Sequence, residues 1–269
     1  MKNININWLK DDKRKYTIEK LKNIKNEIIN CSNTYKNVFN GEPFYEDWSL
    51  DSSLEVISSY LDDNAFILTT KFIDDIIGFL VLIKDVPSNQ KEYVQYLDNV
   101  IFIEEIGVLS NFRKKGIASE MVRIYLLNYL NNSDLYIEYR TNAMRYFDYN
   151  DSESFESAVE RVQKDDKLRR INKEDIIIPK FSLNEKQIFI NKYIELIQYR
   201  PDLDVSHSNA LFRNVFGYLD FSKIGDNYCF QIDPTGEGND RIFPIIDLSN
   251  IKKGESYESN RNIKRLSKI

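Results

Sequence analysis

The chain has 269 residues, of which 42% are hydrophobic, 13% aromatic and 29% charged, and its formal net charge is −5. That length suits one large domain, or one domain with a sizeable insertion, and the composition is that of a globular chain and not of a disordered one. The acidic balance argues against a nucleic-acid binder, which takes its affinity from Lys and Arg on phosphates, and no apolar run approaches the ~20 residues of a membrane span. Cys31 and Cys229 are too few for a disulfide framework, and the opening MKNININWLKDDKRKY lacks the apolar core of a signal peptide, so the expected location is cytoplasmic.

Residues 3–8 (NININW) alternate like a strand, and residues 14–30 carry the wider apolar spacing of a helix. The stretch 34–50 is aromatic and irregular; 51–61 (DSSLEVISSYL) reads as a short helix capped by Asp51 or Ser52. AFILTTKF and IIGFLVLIKD form a hairpin about Asp74 and Asp75. NVIFIEEIGVL, 99–109, is apolar on both faces and so belongs in the middle of a sheet. Residues 118–130 set Ala118, Met121, Val122, Tyr125, Leu126, Tyr129 and Leu130 on one helical stripe, and LYIEYR, 135–140, is the next strand. Strand, turn, helix and strand make a crossover unit, which predicts an α/β (α+β) fold with a mixed, partly parallel central sheet flanked by helices.

From 143 to 205 the chain turns acidic and then basic, with helices expected near 153–170 and 183–199, the second opened by a capping box of Ser182 and Glu185. Strand-like sequence resumes in GYLDFSKIGDNYCFQID, with a hairpin turn at GD, so 143–205 is read as a helical insertion into a domain of residues 1–232. Residues 233–269 follow as a C-terminal extension containing RIFPIIDL.

Within SNFRKKGIASEM, residues 110–121, three cations stand against Gly116 at the start of a helix. The first N–H groups of a helix lack partners and carry the positive end of its dipole, so an anion can sit there if small residues let the backbone come close. Gly116 and Ala118 are small, while Arg113, Lys114 and Lys115 add charge; alone, the same run would serve equally as a solvated loop. Neither a Walker A loop nor the three-glycine dinucleotide pattern is present.

IEEIGVLSNFRKKGIASEM resembles the acetyl-CoA motif of the GNAT N-acetyltransferase superfamily, Arg or Gln, two variable residues, Gly, one variable residue, Gly or Ala, with Arg113, Gly116 and Ala118 at its fixed positions. NGEPFYEDWS resembles the Pro-x-x-Glu lead-in to the second helix of many members, and SNALFRNVFGYLDF their late Asn, helix and turn before the sixth strand. The resemblance spans roughly 1–140 and 205–232 and implies a chain that binds acetyl-CoA and moves its acetyl group to an amine. It implies cofactor contacts from Val108, Arg113, Lys114, Lys115, Gly116, Ile117, Ala118, Ser119 and Asn209, Val108 offering its N–H to the thioester carbonyl.

An ammonium acceptor with a pKa near ~10 is neutral in only about one molecule in a thousand at pH 7, so a base is expected. Counting back in twos from Val108 puts Ile106 and Glu104 on one face, making Glu104 the first candidate; Glu105 is the second, since a bulge would shift the parity. Both could equally pair with cations. The family's usual acid, a Tyr of the late helix, aligns with Phe216, leaving Tyr218, or Tyr149 if that helix follows 135–140 directly. Asn209 is read as the late helix's cap, and His207 as the end of a strand beside it. No second His or spaced Cys makes a metal site, and Gly236 and Gly238 read as a turn.

The acidic balance and the EPFYEDW segment suggest a small cationic amine as acceptor, a protein amine being the other class, with the insertion shaping the cleft. A homodimer stays open. The competing reading is a non-catalytic acyl-CoA-binding regulatory protein.

Overall fold

The structure is a computed structural model that describes residues 4–6, 16–22, 24–41, 44, 46–63, 65–94, 97–127, 136–143, 152–164, 180–233 and 240–250. Tyr149, Pro43, Tyr129, Leu130, Gly236 and Gly238, singled out above, lie outside the described residues.

In chain order come β1 (Ile4–Ile6), β2 (Tyr16–Lys20), α1 (Lys25–Phe39), α2 (Leu50–Asp62), β3 (Phe66–Phe72), β4 (Asp75–Lys84), β5 (Val100–Val108), α3 (Ile117–Leu127), β6 (Tyr136–Tyr139), β7 (Thr141–Asn142), α4 (Phe155–Lys164) and α5 (Leu183–Tyr199). Then follow α6 (His207–Phe216), β8 (Asp220–Phe221), β9 (Lys223–Ile224), β10 (Asn227–Tyr228), β11 (Phe230–Gln231), β12 (Arg241–Ile242) and β13 (Pro244–Asp247).

Among the described residues, the main sheet has eight strands in the order β1-β2-β3-β4-β5-β6-β13-β8. Every pairing in it is antiparallel except β5 with β6, the crossover expected through α3. This is the mixed, partly parallel sheet that the alternation of strands and helices predicted. β9 and β10 form the two-residue hairpin at Gly225 and Asp226.

Helices cover both faces. One face carries α1 and α2, whose Cys31, Tyr35, Val38, Phe39 and Ile57 pack on Ile67, Phe79 and Val81 of β3 and β4. The other holds the larger core, in which Leu80, Leu82, Ile103 and Ile137 meet Met121 and Val122 of α3, Val159 of α4, Ile190, Tyr193 and Ile194 of α5, and Phe212 of α6. A fully buried side chain of this kind contributes roughly 1.5–3 kcal/mol.

Several boundaries differ from the sequence reading. The helix expected at 14–30 is β2 followed by α1: Tyr16 and Ile18 alternate as a strand, and the helical spacing starts only at Lys25 and runs through Phe39, into the stretch read as irregular. α2 is capped by Ser49 and not by Asp51 or Ser52; the Ser49 hydroxyl accepts from the Ser52 N–H at 3.0 Å, and Ser52 returns the bond. The box of Ser182 and Glu185 opens α5 as predicted.

The segment 143–205, expected as an insertion, does not stand off the domain. Ala158, Val159, Ile190, Tyr193, Ile194 and Ile197 are all within 1% of full burial in the main core. The extension likewise reaches into the fold. β13, inside residues 233–269, runs between β6 and β8, so the sheet is completed by sequence beyond 232.

Candidate active site

β5 and β6 pair only from Val100 with Tyr136 to Ile103 with Tyr139. Beyond Ile103, β5 continues on β4 alone, and a gap opens where β6 would have gone on. Within β5 the register on β4 slips: Val81 faces Glu105, while Leu82 faces Ile103, so Glu104 is the extra residue of a bulge. A bulge breaks strict alternation. Ile103 and Ile106 both pack into the α3 core, and Gly107 turns to the α1 face, where a Cβ would lie 2.6 Å from the Phe79 ring. Glu104 and Glu105 both act electrostatically on Tyr35 and Tyr60, and therefore share the α1–α2 side. The parity that grouped Glu104 with Ile106 is thus corrected, for the reason that made Glu105 the second candidate.

Past the bulge, Leu109 N donates to Ile77 O at 2.9 Å, and Gly78 stands opposite Val108. In an antiparallel pair the residues that exchange bonds alternate with those that do not. Counting from Leu109, the N–H groups of Val108 and Ile106 point away from β4, toward the open gap. The chain then turns. Arg113 Nε donates to Val108 O at 2.9 Å, tying the turn to the strand end. Lys114 holds φ +61, uncommon outside glycine, and Gly116 holds φ +82, where an added Cβ would meet nothing within 4 Å. Lys115 Nζ lies 5.0 Å from the centre of the Phe112 ring.

α3 begins at Ile117 directly after Gly116, so the N–H groups of Ile117, Ala118 and Ser119 belong to its first turn and have no acceptor within the helix. Glu120, the acidic residue of that turn, is held by Arg123 at 2.8 Å. An open glycine, first-turn N–H groups and three cations fit a diphosphate, and the gap beside Val108 fits a thioester. Val108, Arg113, Lys114, Lys115, Gly116, Ile117, Ala118 and Ser119 are thus brought into one continuous run.

On the α1–α2 side the two carboxylates are not equivalent. Arg140 Nη2 donates to Glu104 Oε1 at 3.2 Å; burial raises the Glu104 pKa, opposed by Arg140 and Arg241. Glu105 has no ion pair within 4 Å among the described residues. Burial first, and then the neighbouring Glu104 charge, push its carboxyl up to about 8. Tyr35 packs against Phe79, with ring centres 5.5 Å apart, and edge-on to Trp48 at 5.2 Å. The Trp48 indole N–H donates to Glu46 at 2.5 Å, while Asn40 clamps the Trp48 backbone through both its N–H and its C=O. Glu46 and Trp48 of the EPFYEDW segment therefore border the carboxylates. Tyr35, Tyr60, Arg140 and Arg241 were missed in the sequence; only the ending of LYIEYR in an Arg, at even spacing from Glu138, carried a signal.

Three other expectations are corrected. Tyr218 donates its hydroxyl to the carbonyl of Asp247, which pairs with Tyr136, itself opposite Val100. That is the far end of the parallel pair, five residues or about 17 Å of strand from Glu105, so Tyr218 does not join the carboxylates. Asn209 does not cap α6: Ser206 does, its hydroxyl accepting from Asn209 N at 3.1 Å. The Asn209 side chain is fully buried, accepting from Tyr139 Oη at 2.8 Å and donating to Asp204 at 2.9 Å, and faces no groove. His207 is the exposed first residue of α6, not a strand end. Phe216 stacks on Phe212 with ring centres 6.1 Å apart.

Among the described residues, the sheet is mixed, and its one parallel pair splays beside a glycine turn and a helix N-terminus. Residues 33–147 match the model of the acetyltransferase (GNAT) family. Enzymes of that family use acetyl-CoA. No curated protein matches the sequence. Among solved structures, the chain is similar to the aminoglycoside 6'-N-acetyltransferase from Enterococcus faecium, with 12% identity, a TM-score of 0.48, and 88% of this chain and 99% of that one covered. It is also similar to the ribosomal-protein-S18-alanine N-acetyltransferase from Escherichia coli, with 9% identity, a TM-score of 0.42, and coverage of 90% and 97%. An aminoglycoside 6'-N-acetyltransferase complexed with coenzyme A is similar at 13% identity and a TM-score of 0.45, with 88% and 99% covered. Among the described residues, no helix is long and apolar enough to cross a membrane.

Proposed function

We propose that the chain is an acetyl-CoA-dependent N-acetyltransferase in which an acceptor amine attacks the thioester directly. The observation that carries this reading is the gap after Ile103, into which Val108 turns its N–H five residues before Arg113. Acetyl-CoA would supply the acetyl group as a thioester. Gly116, Ile117, Ala118 and Ser119 would hold its diphosphate with backbone N–H groups, and Arg113, Lys114 and Lys115 would add charge. The Val108 N–H would stabilise negative charge gathering on the thioester oxygen, in a gap closed to water on the β4 side.

Glu105 is the better-supplied base. Glu104 is occupied by Arg140, whereas Glu105 sits beside Tyr35 and Tyr60 with a carboxyl near 8, close to the range where a base takes a proton most effectively. The thiolate can depart to solvent, since a thiol near ~8.5 is a fair leaving group. The position of Tyr218 keeps the regulatory, non-catalytic reading in play, because it leaves no tyrosine beside the gap from α6 or its exit. Free CoA release from acetyl-CoA with a panel of amines decides. Turnover above hydrolysis supports transfer; tight acetyl-CoA binding with no amine-dependent release favours the regulatory reading.

A further inference from the structure

β6 faces β13 and β7 faces β12 in the same antiparallel register, interrupted only about Arg140 and Phe243: Glu138 lies opposite Ile245, and Asn142 opposite Arg241. Side chains two apart on a strand share a face, so Arg140 and Arg241 stand diagonally across the same face, the diagonal being within reach of long side chains. That face is the one carrying Glu104, to which Arg140 is bonded at 3.2 Å. Two guanidiniums thus rim the gap from the β6 side, opposite the carboxylates on β5.

Only one of these two charges is matched. Glu104 takes Arg140, and Glu105 is largely uncharged at neutral pH. Arg241 is exposed and has no ion pair within 4 Å among the described residues; its other near anion, Asp233, acts on it only from a distance. Partial burial first, and then the neighbouring Arg140 charge, disfavour the charged form of Arg241, while Glu105, Asp233 and Glu104 oppose them. An uncompensated cation beside the spot where an acceptor must enter is a provision for an anion, and guanidinium is the side chain best shaped for a carboxylate.

We propose that the acceptor carries a carboxylate as well as its reacting amine, being an amino acid or a related amino carboxylate, and that Arg241, with Arg140 behind it, holds that carboxylate while the amine meets Glu105. This rests on the acetyl-transfer reading and revises the expectation of a simple cationic amine. It draws a sharp line between amines that differ only by a carboxylate, with the partly exposed Tyr60 and Trp48 left to receive the remainder of the molecule.

Matched pairs test it: lysine with cadaverine, tyrosine with tyramine, histidine with histamine, each assayed for CoA release with acetyl-CoA saturating. In at least one pair the carboxylate-bearing member is expected to have a kcat/KM about tenfold or more above its partner, carried by KM. Arg241→Gln should raise that KM about tenfold or more, and Arg241→Lys should recover part of it. Equal or better use of the decarboxylated amines, rejection of all the amino acids, or an unchanged KM in Arg241→Gln overturns the inference. Acetyl-CoA titrated alone separates the two levels: heat from acetyl-CoA with no carboxylate preference removes only this inference, whereas no heat removes the acetyl-transfer reading and this inference with it.

Discussion

Glu105→Gln removes a base while keeping its size, and the structure sets the pH at which the loss should show. Burial and the adjacent Glu104 hold the Glu105 carboxyl up to about 8, so it is protonated at low pH and becomes a base as pH rises. With that value, roughly 9% of the wild type is ionised at pH 7, about 1% at pH 6 and about 90% at pH 9. In kcat/KM, which reports groups of the free enzyme, activity should therefore climb about tenfold from pH 7 to pH 9, and about a hundredfold from pH 6. General bases contribute typically ~10²–10⁴ in rate, so the variant should be slowed by about that factor at pH 9 and by far less at pH 6. CoA release in a series of buffers at constant ionic strength measures it. A variant that keeps the same rising limb with the same midpoint would refute the assignment, and a Glu104→Gln variant that loses the limb instead would move the role one residue back.

Other consequences are structural. Gly107→Ala would place a Cβ 2.6 Å from Cζ of Phe79 and 2.9 Å from the Val38 side chain, so denaturant unfolding should show a loss of about 1–3 kcal/mol. Glu138 is fully buried, bonded by the Ser222 hydroxyl, and pushed by burial up to about 7. Folded, it keeps its proton between about 4.5 and 7 while the unfolded chain releases one, so stability falls as pH rises through that window; Glu138→Gln should reduce the slope by about 1.4 kcal/mol per pH unit, read from unfolding midpoints. Deleting residues 145–203 strips the main core of Val159, Ile190, Tyr193 and Ile194, and the product should fail to give a cooperative thermal transition. A deletion that folds and still binds acetyl-CoA would show the segment to be detachable.

The run from Phe66 to Tyr139 was legible because each of its elements repeats one period over a long stretch and ends on a turn signal, as at Asp74 or Gly116. Between Tyr16 and Phe39 two short patterns abut with no Gly or Pro between them, and Tyr16, Ile18 and Leu21 merged into the helical spacing that begins later. The glycine turn was readable residue by residue, since the chemistry of a helix start is local. The carboxylates were found but not ranked, because the bulge at Glu104 is a property of the β4 register and not of the IEEIGV sequence. Arg140 and Arg241 meet only through the pairing of β7 with β12, across about a hundred residues, and nothing local marks them as partners. The placement of Tyr218 failed for a related reason: the β13 carbonyl that accepts its hydroxyl belongs to a strand assigned to an extension.

The most direct test of the whole account is a crystal structure of the chain grown with coenzyme A. The diphosphate should lie within hydrogen-bond reach of the N–H groups of Gly116 to Ser119, and the sulfur in the opening between β5 and β6 beside Val108. Coenzyme A bound elsewhere, or a diphosphate held only by surface lysines while the α3 N-terminus stays clear of it, would contradict the account.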